Sequence, residues 1–200
     1  MRSRSVRRSQ GFTLVEIVAV IGVIAILAAV MVPTIVKHLE DSKTVRAQKD
    51  AEMIATSVTD FYKDTGRWPT RNTKGEYEVE LLQNANGTAP TLGTKVTGWG
   101  KLNVTDSYDN QLVDNKPGGK NKNKYDVTGE NRWNGPYAIK MKTDPWGRQY
   151  WCNVASLHPT VMAAGNAPVW IISAGPDGVL DTDTDDTDVQ GDDVGFLIKR

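Results

Sequence analysis

The chain has 200 residues, 39% of them hydrophobic and 24% charged, and its 24 basic and 24 acidic side chains cancel at neutral pH. Phosphate binding demands a basic excess, so this balance argues against nucleic acid as an obligatory partner. The lone cysteine, Cys152, excludes an internal disulfide, which leaves packing, a metal or neighbouring chains to stabilise any exported domain.

An arginine-rich leader carrying Arg2, Arg4, Arg7 and Arg8 runs into Gly11-Phe12-Thr13-Leu14-Val15-Glu16 and then into uncharged residues 17–36. A secretory signal carries its apolar region ahead of the cleavage site. Here the plausible cut precedes the apolar region, so that segment is retained. Twenty helical residues at about 1.5 Å each cover roughly 30 Å, the hydrocarbon thickness of a bilayer, and the arginines hold the N-terminus in the cytoplasm. Glu16 lies one turn inside this span, where an unpaired carboxylate costs several kcal/mol. Either it reaches water at the interface or it finds a positively charged partner. Pro33 removes a helical hydrogen bond and, with Gly22, marks a place for a mild bend or for local unwinding.

Beyond the span, Ala47, Ala51, Ile54, Val58 and Phe61 recur at steps of four and three, so the helix continues with one apolar face. From Thr13 to about Lys63 it covers about fifty residues, or about 75 Å, and it ends near Asp64-Thr65-Gly66, with Pro69 preventing resumption. The chain thus divides into a leader (1–11), an apolar helix (12–36), an amphipathic helix (37–66) and a domain (67–200) large enough for a single core. Residues 71–131, rich in Gly, Asn, Thr and Lys, read as loops with a few short elements such as the apolar run 77–82. The basic run 116–124 is a solvated loop or a contact for a partner or anionic lipid. Residues 137–141, 149–154 and 169–173 have the composition and length of strands. The fold class is therefore α+β, a long N-terminal helix packed on a small antiparallel sheet. The six tryptophans, Trp68, Trp99, Trp133, Trp146, Trp151 and Trp170, read as core and interface residues, with a sugar-binding platform as the alternative.

Residues 174–195 hold eight aspartates and no lysine or arginine. Like-charge repulsion disorders such a run unless a cation binds, and an all-oxygen donor set suits calcium, whereas zinc would want Cys or His. Asp181, Asp183 and Asp185 alternate, and Asp192 follows Asp181 at the reach of an EF-hand loop. However, Asp186 stands where that loop needs glycine, and no outgoing helix follows. A solvated acidic tail is the other reading. No enzyme constellation is present: His38 lies on the helix and His158 precedes Pro159, with no nucleophile motif around either.

The segment Gly11-Phe12-Thr13-Leu14-Val15-Glu16 resembles the class III signal of type IV pilins and type II secretion pseudopilins, whose subunits polymerise through their N-terminal helices. The resemblance implies cleavage after Gly11 and methylation of Phe12 by a prepilin peptidase, and a net side-chain charge of −4 once the leader arginines are lost. It also implies roles in assembly for Glu16 and Pro33. Gly66-Arg67-Trp68-Pro69-Thr70, Gly135-Pro136-Tyr137 and Asp144-Pro145-Trp146-Gly147-Arg148-Gln149-Tyr150 are similar to signatures of the major pseudopilin of type II secretion. Ser173-Ala174-Gly175-Pro176-Asp177-Gly178 with Gly191-Asp192-Asp193-Val194 is similar to that family's calcium loop, with the Ala174 carbonyl, Asp177, Asp192 and Asp193 as the matched ligands and Asp181, Asp183 and Asp185 added by the insert. The middle, 71–131, departs from the family. The resemblance implies a type IV pilin-like fold anchored in a bacterial inner membrane with its C-terminal domain in the periplasm. Its partners would be further copies of itself, minor pseudopilins, the prepilin peptidase and an inner-membrane assembly platform. The alternatives are a surface pilus for adhesion, motility or DNA uptake, and a membrane-anchored calcium-dependent binding domain that forms no polymer.

Overall fold

The structure is a computed structural model that describes residues 11–157 and 167–199; the leader arginines and His158 lie outside the described residues. By its internal contacts the chain divides into two units, 1–41 and 42–200. The first is helical from Leu14 onward and belongs to helix α1 (Leu14–Thr65), which continues into the second. In the first unit large apolar side chains face outward, with Leu14 80% and Ile26 68% exposed. This helix is long and apolar enough to cross a membrane. Helical assignment runs through Pro33. The Thr34 hydroxyl donates to the Val30 carbonyl at 3.4 Å, one turn back.

In the second unit α1 behaves as its periodicity predicts: Ala47, Ala51, Ile54, Val58 and Phe61 are all at most 1% exposed. The helix ends at Gly66, whose φ of 65° lets its N–H reach the Tyr62 carbonyl at 2.8 Å, in the left-handed cap that glycine allows. Among the described residues the strands are β1 (Leu81–Gln83), β2 (Thr91–Leu92), β3 (Thr105–Ser107), β4 (Trp151–Cys152), β5 (Val169–Ser173), β6 (Val179–Leu180) and β7 (Val194–Lys199). Five form one sheet in the order β3-β1-β4-β5-β7, while β2 and β6 pair separately. The pairings β1–β4, β4–β5 and β5–β7 are antiparallel, as expected, and β3 adds to β1 in parallel. Strand β5 shows why the sheet has two cores. Val169 and Ile171 join the cluster under α1, with Val58 and Phe61, whereas Trp170 and Ile172 join a second cluster with Trp99 and Leu180. Alternation along a strand sends neighbouring side chains to opposite faces, so a strand with four successive apolar residues, Val169 to Ile172, is covered on both.

Two strand expectations need correction. Residues 137–141 form no strand: the Tyr137 N–H donates to the Leu112 carbonyl (2.9 Å) and the Met141 N–H to Asp109 Oδ1 (2.9 Å), so a π-type turn at Asp109–Val113 takes the bonds a neighbouring strand would take. The segment 149–154 contracts to Trp151–Cys152. The middle region supplies β1, β2 and β3, and the Asp106 carboxylate organises it by accepting from Ser107 N, Asn110 Nδ2, Gln111 Nε2 and Gly118 N.

Candidate functional site: the helix start and the acidic loop

At the start of α1, Glu16 Oε2 accepts from both the Thr13 N–H and the Thr13 hydroxyl at 2.8 Å, and the Glu16 N–H donates back to Thr13 Oγ1 at 3.3 Å. This is a capping box, Thr-x-x-Glu, which satisfies two of the donors that a helix start leaves open. The sequence carries that signal in Thr13-Leu14-Val15-Glu16, which gives Glu16 a partner within its own chain. Phe12 is 83% exposed beside it, and nothing crowds Gly11.

The acidic loop hangs from the last pair of the β5–β7 ladder, Ser173 with Val194. Ala174 and Asp193 flank that pair, and the Ala174 carbonyl accepts from the Gly178 N–H at 3.0 Å. Gly175, at φ +56°, has no substitute here: a Cβ would stand 2.1 Å from the Asp192 carbonyl oxygen. Arg148, from the Asp-Pro-Trp-Gly-Arg segment, donates through Nη1 to the carbonyl of Gly175 (2.8 Å) and fixes the turn from outside. Asp177 and Asp192 are brought together, the Asp177 N–H lying 3.3 Å from Asp192 Oδ2, while Asp177 Oδ1 accepts from the Val179 N–H at 2.7 Å.

Asp193 is the chemically unusual member. Its Oδ2 accepts from the N–H groups of Asp181 (2.9 Å) and Thr182 (2.7 Å), yet its Oδ1 is buried with no partner. Burial pushes its carboxyl up to about 6 against the pull of those donors. Asp183 is the reverse. Burial raises its carboxyl, but the N–H groups of Thr97, Thr184 and Gly98 outweigh that and hold it below the usual carboxylate range. Thr97 N binds Oδ2 at 2.8 Å, while Gly98 N and Thr184 N bind Oδ1 at 2.7 Å. Asp181 and Asp185 are exposed. Two tryptophans that read in the sequence as core and interface residues also hold this loop: Trp99 Nε1 donates to the Thr182 carbonyl (2.9 Å) and Trp170 Nε1 to the Asp186 carbonyl (2.8 Å).

Among the described residues no three acidic, histidine or cysteine side chains converge as a preformed metal cluster. The donor chemistry nevertheless sorts the candidates. The orphaned Asp193 Oδ1, in a loop whose candidate donors are all oxygens, is chemistry that a hard cation fits. Asp183 does not fit, because both of its oxygens are engaged as a loop cap.

Residues 6–32 match the prokaryotic N-terminal methylation motif, and residues 123–192 match the type II secretion system protein G family. The type II secretion system core protein G of Escherichia coli (strain K12) is 26% identical over 92% of this chain and 93% of that protein. The core protein G of Dickeya chrysanthemi is 25% identical over 90% of this chain and 85% of its own length. The fimbrial protein EcpC of Eikenella corrodens is 32% identical over 46% of this chain and 67% of that protein. No solved structure matches. The methylation motif covers the capping box, and the second match reaches through the acidic loop to Asp192, so the chain belongs to the type IV pilin-like superfamily, as a homologue of the type II secretion pseudopilin core protein G.

Proposed function

We propose that this chain is the major structural subunit of a type II secretion pseudopilus, a non-enzymatic filament protein whose growth pushes folded cargo outward. The observation that carries this reading is the similarity to core protein G along nine-tenths of the chain, which takes in the C-terminal domain as well as the N-terminal motif. In this reading a prepilin peptidase cuts after Gly11 and methylates Phe12, the first half of α1 sits in the inner membrane, and the domain lies in the periplasm. Assembly platform and minor pseudopilins are its other partners. The Thr13 capping box keeps Glu16 satisfied while the subunit waits in the membrane. In the filament the Phe12 amine of a neighbour supplies a full positive charge to the same carboxylate, a stronger partner than a neutral hydroxyl. Pro33 marks the turn of α1 where the helix yields on leaving the bilayer.

Calcium belongs to the same proposal. The residues that would hold it are the Ala174 carbonyl, Asp177, Asp192 and Asp193, with Asp181 next to Asp193; Asp183 and Asp185 have other positions in the loop. Bound calcium would supply the positive charge that the partnerless Asp193 oxygen lacks, and so tie β7 to the turn after β5. The pilin matches favour a second reading, a surface pilus, but they cover less than half of this chain.

The test is a deletion strain complemented with wild-type or Glu16→Ala chain, scored for secreted enzymes in the medium and for filaments in sheared surface material. Secretion lost without surface filaments is the expected result. Intact secretion with lost surface filaments would replace the pseudopilus by a pilus.

A further inference from the structure

Beyond the C-terminal end of α1 lies a cleft lined by Thr65, Arg67, Arg71, Tyr77, Tyr125 and Asn131, with Asp126 on its wall. Two cations occupy it together. The Arg67 guanidinium lies 5.0 Å from the Tyr77 ring centre, and that of Arg71 lies 5.1 Å from Tyr77 and 5.0 Å from Tyr125. Arg71 spends one nitrogen, Nη1, on the carbonyls of Asn123 and Lys124, while its Nε is buried without a partner. Neither guanidinium forms an ion pair with any described residue, Asp126 included. Two like charges held side by side on aromatic faces repel unless an anion joins them, and planar guanidinium groups fixed by stacking are suited to a carboxylate.

The same subunit carries exposed carboxylates in its acidic loop, that of Asp188 accepting from the neighbouring Thr187 hydroxyl at 3.1 Å. Gln111 Nε2 donates to the Arg71 carbonyl (2.7 Å) and to Asp106 in β3, which ties the cleft to the β3 edge. Asp185 and Asp188 lie in the connection from β6 into β7, the opposite edge, and both are exposed. A chain with an anionic loop at one edge and a cationic cleft at the other is complementary to a second copy in the same orientation, the head-to-tail contact from which helical polymers are built. We propose that the Arg67–Arg71 cleft of one subunit receives the Asp185–Asp188 carboxylates of the next. This rests on the filament reading.

The test is charge exchange in the full chain expressed with its assembly machinery, with pelletable polymer as the readout. Arg67 is exposed and only its backbone is hydrogen-bonded, to the Thr65 hydroxyl, so its side chain can be altered without removing a hydrogen bond of the fold; Arg71 is left intact. Arg67→Glu, and separately Asp185→Lys with Asp188→Lys, are each expected to cut polymer yield severalfold, and the combination to restore most of it. In parallel, malonate is titrated into the labelled full chain in detergent micelles. Malonate shifts at Arg67 and Asn131 with polymer indifferent to charge reversal would mean a free small anion, and would overturn the proposal. Polymer indifferent to Arg67 with no malonate response would overturn it as well. If the wild-type chain forms no polymer, or Glu16→Ala forms it as well as wild type, the filament reading fails and takes the proposal with it.

Discussion

Asp193 carries one oxygen clasped by two backbone N–H groups and another facing nothing. Its carboxyl titrates near 6 in the folded chain and near the ordinary aspartate value of about 4 when unfolded, so the folded state holds the extra proton between those values. Its contribution to stability is complete below about pH 4 and lost as pH rises through about 6. In chelator, melting temperature should therefore fall as pH is raised across that window, and Asp193→Asn should flatten the fall. If the variant keeps the wild-type slope, another group is responsible. With calcium present the trend should reverse, because the ion competes with the proton for the same oxygens. Gly175→Ala acts at the neighbouring turn. The new Cβ would have to displace the Asp192 carbonyl, and calcium-dependent stabilisation should disappear before the fold itself does, as thermal melts with and without the ion would show.

At the scale of the element, Phe61 joins α1 to the domain. It is fully buried, with Tyr125 edge-on at 4.8 Å and Tyr137 edge-on at 5.5 Å. Phe61→Ala is expected to cost about 3–5 kcal/mol in chemical denaturation, while an exposed change one residue on, Tyr62→Ala, should cost far less. The buried face of α1 was legible because a helix meeting one core repeats its apolar residues every three or four positions. Strand β5 was legible because Val169 to Ile172, four large apolar residues in a row bounded by Pro168 and Gly175, admit little else. Residues 137–141 had the same composition and form no strand, since what decides a strand is a partner, and here the carbonyl of Leu112 and the carboxylate of Asp109 came first. Strand β7 was hidden for the opposite reason. Its run follows so dense an aspartate stretch that composition spoke for a tail, although Trp170 and Ile171 pair with Leu197 and Phe196. Within the candidate site the ligand types were readable, but the division of labour was not. That Asp183 caps Thr97 and Gly98 depends on contacts more than eighty residues apart in the chain.

For the whole molecule, calcium bound as proposed would be a lever on stability, because an ion that binds only the folded chain adds about 2.7 kcal/mol at a hundredfold excess over Kd. For a domain of this size that corresponds to about 5–10 °C in melting temperature. Full-length protein in detergent should show this rise with calcium and lose it with chelator; an unchanged melting curve would leave the acidic loop as a solvated segment. Cys152 has a different consequence. It is buried completely in the cluster beneath α1, and burial pushes its thiol far above the usual range, so it stays protonated and out of reach of oxidants. The maturation of this subunit waits on no thiol oxidase. Formation of the native domain is thereby uncoupled from the supply of an oxidant.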